Sequence, residues 1–289
     1  MLSKLREKNV YIFVVLVLLI FKIVQNLAVY PSVLLYKAGL YPTDEAGMTC
    51  FAAIVMEVLT SIVMIILLWR TNKLDLLKKK GQGFFKSLPI AGYQLAFVLL
   101  SAISIVGHVI SDGATFQTPV NIILFIISML LVGLAEELCC RAIVAESLLE
   151  KFGTSKKGVW TAAITSGVLF GMLHLTNLTT GQLVPVLIQT VSASISGILF
   201  AAVYFRSGNI WVPIFVHGIY DIGTSASSGI LQGGSLATML TNDGSLGTGA
   251  LLLVLAAGTI PPLIVSLFIL RNKKIGEVKT YWPEIENKQ

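Results

Sequence analysis

Two adjacent glutamates interrupt an apolar stretch of this chain, and an arginine follows one helical turn later. The residues read AEELCCR from Ala135 to Arg141, directly after NIILFIISMLLVGL. Each uncompensated charge inside a bilayer costs several kcal/mol, so such groups need a compensating role. On a helix, Glu137 and Arg141 share a face with the acid in the favourable first position, whereas Glu136 is rotated by ~100° from Glu137. The arginine can therefore hold one carboxylate and leave the other for chemistry.

Two of the chain's three histidines lie in other apolar stretches, each with a partner one helical turn away. His174 ends the sequence FGMLH, four residues after Phe170, and His217 begins HGIYD, four residues before Asp221. Residues with this spacing share one face of a helix. Each pair can therefore present its side chains to a common site.

The glutamates and the histidines are predicted to meet at one depth. A turn at 153–155 separates the helices of Glu136 and His174, and both residues are almost equally far from it along the chain. In an antiparallel hairpin they stand at similar heights, and His217 reaches a similar depth in its own helix. A carboxylate can act as general base on water, and imidazoles can hold a metal, share the base's work or stabilise an oxyanion. The sequence thus predicts a water-filled site equipped for hydrolysis within a membrane.

Composition places the chain among the membrane proteins. Of its 289 residues, 55% are hydrophobic and only 12% are charged, and the mean hydropathy is +0.83. The formal net charge of +6 could indicate nucleic acid, but the basic residues fall in short connectors, as the positive-inside rule expects. We therefore predict the lipid bilayer as a partner and no nucleic acid. The three cysteines form no disulfide or metal-binding framework.

The apolar runs predict an all-α, polytopic transmembrane helical bundle. A crossing needs ~20 residues, and about eight such spans are predicted: 10–30, 48–69, 89–110, 119–145, 158–177, 183–205, 209–226 and 248–270. These spans divide the chain into three N-terminal helices, a core that carries the polar motifs, and a last helix with a basic tail: 1–118, 119–226 and 227–289.

The basic residues are distributed asymmetrically between the predicted connectors. One end of the bundle carries Lys4, Arg6, Lys8, Arg70, Lys73, Lys78, Lys79, Lys80, Lys86, Lys151, Lys156, Lys157, Arg206, Arg271, Lys273, Lys274, Lys279 and Lys288. The connectors at the other end hold only Lys37. By the positive-inside rule we predict cytoplasmic N- and C-termini, in a membrane expected to be the bacterial plasma membrane.

Two further charges, Lys22 and Glu57, lie inside the first and second predicted spans. Lys22 is counted from one face of the bilayer and Glu57 from the other, and at ~1.5 Å per residue both lie at nearly the same height within its ~30 Å core. The simplest interpretation is a neutralising pair that joins two helices. A functional role is the alternative.

The three motifs, taken in order on successive spans, resemble the CPBP family. They read EExxxR (136–141), FxxxH (170–174) and HxxxD (217–221). This family comprises the CAAX-processing and bacteriocin-processing intramembrane endopeptidases, related to the type II CAAX prenyl protease. The resemblance covers about residues 119–226 and implies a peptidase that acts within the membrane.

The resemblance implies a catalytic role for four residues. Glu136 would be the base that activates water, with His174 beside it. His217 and Asp221 would stabilise the oxyanion or position the substrate. The family most often has asparagine at the position of Asp221, and an ionised aspartate cannot donate the hydrogen bond that asparagine can.

Three more residues are expected to support the site. Glu137 and Arg141 would hold the helix and tune the site. Phe170 is expected to line it.

The resemblance does not decide whether the site holds a metal. Members are commonly called metalloproteases, and a metal-free glutamate mechanism has also been proposed. Glu136, His174 and His217 would suit a divalent metal such as zinc with an open fourth position. These ligands come from three helices, however, without a pre-arranged HExxH motif.

The expected substrate is a hydrophobic peptide or a membrane-protein segment. The HExxH, GxGD and GxSG motifs of other intramembrane proteases are absent from the sequence. A non-catalytic immunity or peptide-binding protein is one alternative function. A proton-coupled transporter is another, but it would show paired halves with broken helices, and the sequence has no such repeat.

Overall fold

The chain folds almost entirely into helices. The computed structural model describes residues 2–40, 42, 44–232 and 248–286. In this part of the chain no β-strand forms, and an isolated bridge joins Phe116 to Leu231. The predicted fold class is confirmed: the protein is an all-α, polytopic helical membrane protein. Residues 233–247 of the predicted part 227–289, and Lys288 of the basic tail, lie outside the described residues.

The α-helices follow one another with short connections. In chain order they are α1 (Leu2–Lys8), α2 (Val10–Leu27), α3 (Val29–Lys37), α4 (Glu45–Arg70), α5 (Phe84–Ser87), α6 (Gly92–Ser111), α7 (Pro119–Glu137), α8 (Glu146–Phe152), α9 (Lys156–Leu173), α10 (Leu183–Ser207), α11 (Trp211–Thr224), α12 (Ala226–Ile230), α13 (Thr248–Ile269), α14 (Asn272–Tyr281) and α15 (Pro283–Glu286). A π-helix, Leu138–Ala145, joins α7 to α8. Three 3-10 helices occur at Leu74–Leu77, Leu88–Ala91 and His174–Thr179.

Within the described residues, seven helical segments are long and apolar enough to cross a membrane. They correspond to seven of the predicted spans. The exception is 209–226, where α11 has 14 residues and ends at Thr224. This length is below the ~20 residues of a full crossing, so the predicted full-length span is wrong for this segment.

The two ends of the described chain meet at one end of the bundle, called here the basic end. It comprises α1, α8, α14, α15 and residues 71–83. Arg6 of α1 lies 2.6 Å from Glu146 of α8, and Lys79 lies 2.6 Å from Glu284 of α15. The basic connectors predicted to share one face therefore lie together.

The short helix α11 nevertheless leads the chain to the opposite end of the bundle. Trp211 at its start donates a hydrogen bond from Nε1 to the carbonyl oxygen of Leu77, at the basic end. Leu231, after α12, pairs with Phe116, which follows α6 on the far side. Together α11 and α12 carry the chain across the bundle an eighth time. An even number of passages is what brings both ends of the described chain to the same end of the bundle.

The hairpin that carries the first two motifs turns where the sequence predicts. Helix α8 ends at Phe152, and Gly153 adopts a φ of +80°, which favours glycine. Ser155 caps α9 by accepting a hydrogen bond from the backbone N–H of Gly158. The predicted turn at 153–155 is confirmed.

Small residues let the site helices approach closely. Helix α7 packs between α4 and α11. A Cβ atom added to Gly133 of α7 would lie 2.6 Å from the backbone nitrogen of Gly218 in α11. Helices α9 and α10 meet in the same way, since a Cβ atom on Gly167 would lie 2.6 Å from the nitrogen of Ile198. Such contacts are typical of membrane helices, where small residues allow close packing.

Helices of the three parts predicted from the sequence pack against one another. Helix α4 of the first part contacts α7 of the second, and α10 of the second contacts α13 of the third. Their boundaries stay predictions: 1–118, 119–226 and 227–289.

Four charged side chains tie the basic end together. Arg6 and Lys73 each bind both Glu146 and Glu150, with 2.6 Å between Lys73 Nζ and Glu146. Burial disfavours the charge of Lys73, but the attraction of Glu146 and the hydrogen bonds to Glu146 and Glu150 together outweigh it and raise the pKa of this lysine. The cluster fixes α1 and the connector after α4 against α8, which continues the chain from Glu136 and Glu137.

Candidate functional site

The two glutamates are the last residues of α7, and a π-helix begins directly after them. The wider turns of a π-helix are rare and frequently occur at functional sites. Here the π-helix carries Arg141 and both cysteines of AEELCCR, all of them buried. Cys139 and Cys140 are free thiols packed in this core.

Glu137 is locked in place by two partners. Its Oε1 atom lies 3.1 Å from Arg141 Nη1 and accepts a hydrogen bond of 2.7 Å from His217 Nδ1. The side chain has 0% exposure to solvent. The ion pair predicted from the helical spacing is therefore formed, and it also fixes the orientation of the imidazole from α11.

Glu136 faces the other nitrogen of the same imidazole. His217 Nε2 lies 3.6 Å from Glu136 Oε2 and 3.5 Å from Asp221 Oδ2. Glu136 keeps 17% of its side chain exposed, in contrast to the fully buried Glu137. Of the two glutamates, Glu136 is thus the one that a water molecule can reach.

His174 adds a second imidazole to the site. Its Nδ1–H donates to the carbonyl oxygen of Phe170 at 3.2 Å, which leaves Nε2 free. The ring of Phe170 meets both imidazoles edge-on, with centroids 5.1 Å from His174 and 5.8 Å from His217. Phe170 thus joins the two imidazoles in one cluster. All seven residues predicted for the site are therefore brought together.

Two site residues on α10 were missed by the sequence analysis. The ring of Phe200 stacks on His217 with centroids 4.4 Å apart, and Arg141 lies 5.3 Å from the same ring. Arg141 also donates a hydrogen bond of 3.2 Å to the carbonyl oxygen of Gly197. In the sequence, Phe200 is one apolar residue in a long apolar span, and no local signal separates it from core residues.

The charges predicted to pair between the first two spans are joined through a third residue. Lys22 donates to Gln25 Oε1 at 3.1 Å, and Gln25 Nε2 donates to Glu57 Oε1 at 3.1 Å. The predicted link between the helices is thus made, but Gln25 is its centre. Glu57 lies on α4, which packs against α7, the helix that ends with the two site glutamates.

The residues predicted to suit a metal are Glu136, His174 and His217. Nδ1 of His174 is bonded to Phe170 and Nδ1 of His217 to Glu137, which leaves Nε2 of each ring for a further partner. A ring held in this way by a carbonyl or a carboxylate is usual for a histidine that binds a metal. No group of three or more His, Cys, Asp or Glu side chains within the described part of the chain is placed to hold an ion, however. The metal site stays a prediction, and the reaction proposed below is the metal-free one.

The fold and the site together define a polytopic membrane protein with a Glu–His–Asp cluster inside its helical bundle. Residues 117–223 match the sequence model of the family described as "Type II CAAX prenyl endopeptidase Rce1-like". The "Putative membrane peptidase YdiL" of Bacillus subtilis (strain 168) is 29% identical over 217 residues, which are 70% of this chain and 83% of that protein. No solved structure matches the chain significantly.

These two matches support the resemblance carried by the motifs, so the chain is similar to the CPBP family of CAAX-protease-like membrane proteins over its motif-bearing part. At the level of the family they support a membrane protease.

Proposed function

We propose that the protein is an intramembrane endopeptidase that uses Glu136 to activate water. The observation that carries the proposal is the unequal environment of the two glutamates. Glu137 is held by Arg141 and His217 and is inaccessible, while Glu136 is partly exposed beside two imidazoles. A general base must be able to reach the water from which it takes a proton, and of the two glutamates only Glu136 is accessible.

In the proposed reaction, Glu136 takes a proton from water while the water oxygen attacks the scissile carbonyl carbon. His174 Nε2, free of other partners, orients this water. His217, in its doubly protonated form, donates from Nε2 to the developing oxyanion, and Asp221 holds that imidazole. Glu136 then returns its proton to the amide nitrogen, and the C–N bond breaks.

The location of the site supports a hydrophobic substrate. The cluster lies within the apolar bundle, below the basic end, so a peptide reaches it from the lipid or along the membrane surface. We propose a short hydrophobic peptide or a membrane-protein segment as the substrate. The basic end is proposed to face the cytoplasm of a bacterial plasma membrane, since basic connectors stay on that side.

Cleavage of a quenched library of hydrophobic peptides by the purified protein in liposomes tests the proposal. Glu136→Gln keeps the shape of the side chain but removes the base, and we expect at least ~100-fold loss of kcat. The matched control is Glu45→Gln, an exposed carboxylate at the start of α4. The same assay is run with a chelator. We expect the rate to change by less than about twofold, because the proposed reaction uses no metal and only a metal with a structural role could be lost.

The other possible outcomes contradict part of the proposal or support an alternative function. Equal rates for wild type and Glu136→Gln contradict the assigned base. Chelator inactivation that zinc reverses contradicts the metal-free mechanism. Binding of peptide without cleavage by wild type supports the immunity or peptide-binding alternative, and proton-coupled uptake into vesicles supports a transporter.

A further inference from the structure

A cavity of about 420 Å³ lies at the basic end, where α13 ends and α9 begins. This volume is within the ~300–1,000 Å³ that small-molecule sites occupy. Both helices belong to segments long and apolar enough to cross a membrane, and both pack against α10. The cavity therefore opens where the apolar body of the bundle meets water, at the level of the lipid headgroups. The described residues that line it all lie outside the site of Glu136.

The polar part of the lining is cationic. Three exposed basic side chains contribute to it: Lys156, Arg271 and Lys273. No acidic residue in the described part of the chain lines the cavity. Glu277, the acidic residue of α14, is bound by Arg206 and Lys274, which do not line the cavity either. The described side chains therefore leave the positive charge of the cavity uncompensated.

The rest of the lining is apolar and continues into the lipid-facing surface. Trp160, near the start of α9, lines the cavity together with Leu267 and Leu270 at the end of α13. Tryptophan is enriched at the membrane–water interface. Leu267 is exposed, as are Leu263 and Ile260, and this spacing places the three on one face of α13. An apolar strip thus leads from the cavity along α13 toward the core of the bilayer.

We propose that this cavity binds an anionic phospholipid of the surrounding membrane. Lys156, Arg271 and Lys273 hold the phosphate group of the lipid. Its glycerol lies against Trp160, and one acyl chain follows the exposed face of α13. The inference does not depend on the peptidase function, because the two sites share no residue.

The charge of the cavity selects the class of headgroup. Lysine and arginine donate charge-assisted hydrogen bonds to phosphate oxygens, and these bonds are roughly twice as strong as neutral ones. Arg271 donates a hydrogen bond of 3.3 Å to the carbonyl oxygen of Phe268, which leaves other guanidinium N–H groups for a ligand. Asn272, the first residue of α14, also lines the cavity, and the backbone N–H groups at the start of a helix have no partner within it. A zwitterionic headgroup would add an ammonium group that the cations repel, so an anionic headgroup is favoured.

The apolar part of the lining decides between a lipid and a soluble anion. A soluble phosphate would leave Trp160 and Leu267 in contact with water. The glycerol and the acyl chain of a lipid cover both side chains, and removing apolar surface from water is favourable.

Thermal unfolding of the purified full chain in a neutral detergent measures the binding, because a ligand that binds the folded state raises the midpoint of unfolding. Three additions are compared: phosphatidylglycerol, phosphatidylcholine with the same acyl chains, and inorganic phosphate at the same ionic strength. We expect only phosphatidylglycerol to raise the midpoint.

A variant without the three cations tests whether the lipid binds in this cavity. It combines three substitutions: Lys156→Gln, Arg271→Gln and Lys273→Gln. We expect it to need at least ~10-fold more phosphatidylglycerol for the same rise, because each basic residue near a membrane surface adds to the attraction of anionic lipids. The matched control removes three other exposed lysines of the basic end: Lys4→Gln, Lys78→Gln and Lys80→Gln. This control should respond to the lipid as the wild type does.

Three results would overturn the inference. An equal rise with phosphatidylcholine would show that the charge of the headgroup is not selected. An equal rise with inorganic phosphate would show an ion site and not a lipid site. An equal loss in both triple variants would show a diffuse attraction of the lipid to the basic end.

A second measurement serves if the variant without the three cations does not fold. The wild type is reconstituted in vesicles of phosphatidylglycerol and phosphatidylcholine in equal amounts, with bromine on the acyl chains of one lipid or the other. The contribution of Trp160 to the fluorescence is the difference between the wild type and Trp160→Phe. We expect brominated phosphatidylglycerol to quench this contribution more strongly than brominated phosphatidylcholine, and equal quenching would contradict the proposed site.

Discussion

His217 makes its firmest contact with Glu137, the glutamate that is not proposed as the base. Because Nδ1 donates to Glu137 at 2.7 Å, the ring cannot rotate, and Nε2 is directed to Glu136 and Asp221. Phe200 supports the same orientation by stacking on the ring. The second glutamate of the pair thus acts through the imidazole.

At the residue scale, the buried ion pair of Arg141 gives a direct prediction. Arg141→Gln removes one of the two partners of the buried Glu137 and leaves only His217, and breaking a buried ion pair costs up to about 3–5 kcal/mol. We expect this loss of stability in thermal or denaturant unfolding of the protein in detergent. Arg271→Gln, which removes an exposed arginine after α13, is the control. Similar stabilities for the two variants would contradict the role given to Arg141.

At the scale of elements, the distance between α7 and α11 decides whether the imidazole reaches the carboxylates. The helices touch backbone to backbone at Gly133 and Gly218. Gly218 directly follows His217, so the close contact and the functional side chain belong to the same turn. Any wider spacing moves His217 away from Glu137.

Gly133→Ala tests this dependence. The added methyl group meets the backbone nitrogen of Gly218 at 2.6 Å and the carbonyl oxygen of Ile214 at 2.9 Å, so the helices must separate. We expect ~1–3 kcal/mol lower stability from overpacking, and at least ~10-fold lower kcat because small misplacements of reacting groups are costly. Gly107→Ala in α6, where a Cβ atom meets nothing within 4 Å, is the matched control. Unchanged activity of Gly133→Ala would contradict the requirement for close contact.

At the scale of the whole molecule, an ionic end and an apolar body determine how the protein sits in the bilayer. The N-terminal helix, the connector after α4 and the C-terminal helices meet through ion pairs at the basic end. Both ends of the described chain consequently lie at the basic end. The site is reached from that end by following α8 and the π-helix back to α7.

Single cysteines in a background without Cys50, Cys139 and Cys140 test this arrangement. Lys4→Cys and Lys273→Cys should react with a membrane-impermeant maleimide only in inverted vesicles, because basic segments remain cytoplasmic. Asp112→Cys, after α6, should react in intact cells. Labelling of the two lysine positions from opposite sides would contradict the shared end, and the reverse pattern at all three would contradict the orientation.

The errors of the sequence analysis have a common origin. The span 209–226 was predicted from apolar content alone, but its helix ends at Thr224 because the chain turns at Ser225 before α12. The link between Lys22 and Glu57 was predicted from depth alone, and the amide of Gln25 between them was not considered. In both cases a one-dimensional measure of hydrophobicity or height lacks the side-chain geometry that decides the result.

The sequence by itself determined that the chain crosses a membrane repeatedly and that Glu137 pairs with Arg141. Both follow from local physics: apolar runs must match the thickness of the bilayer, and the helical repeat places residues four apart on one face. Only the tertiary structure decided that His217 binds Glu137, that Phe200 stacks on His217, and that Gln25 joins Lys22 to Glu57. These contacts join helices far apart in the chain, and close packing between whole helices, which no local period encodes, selects them.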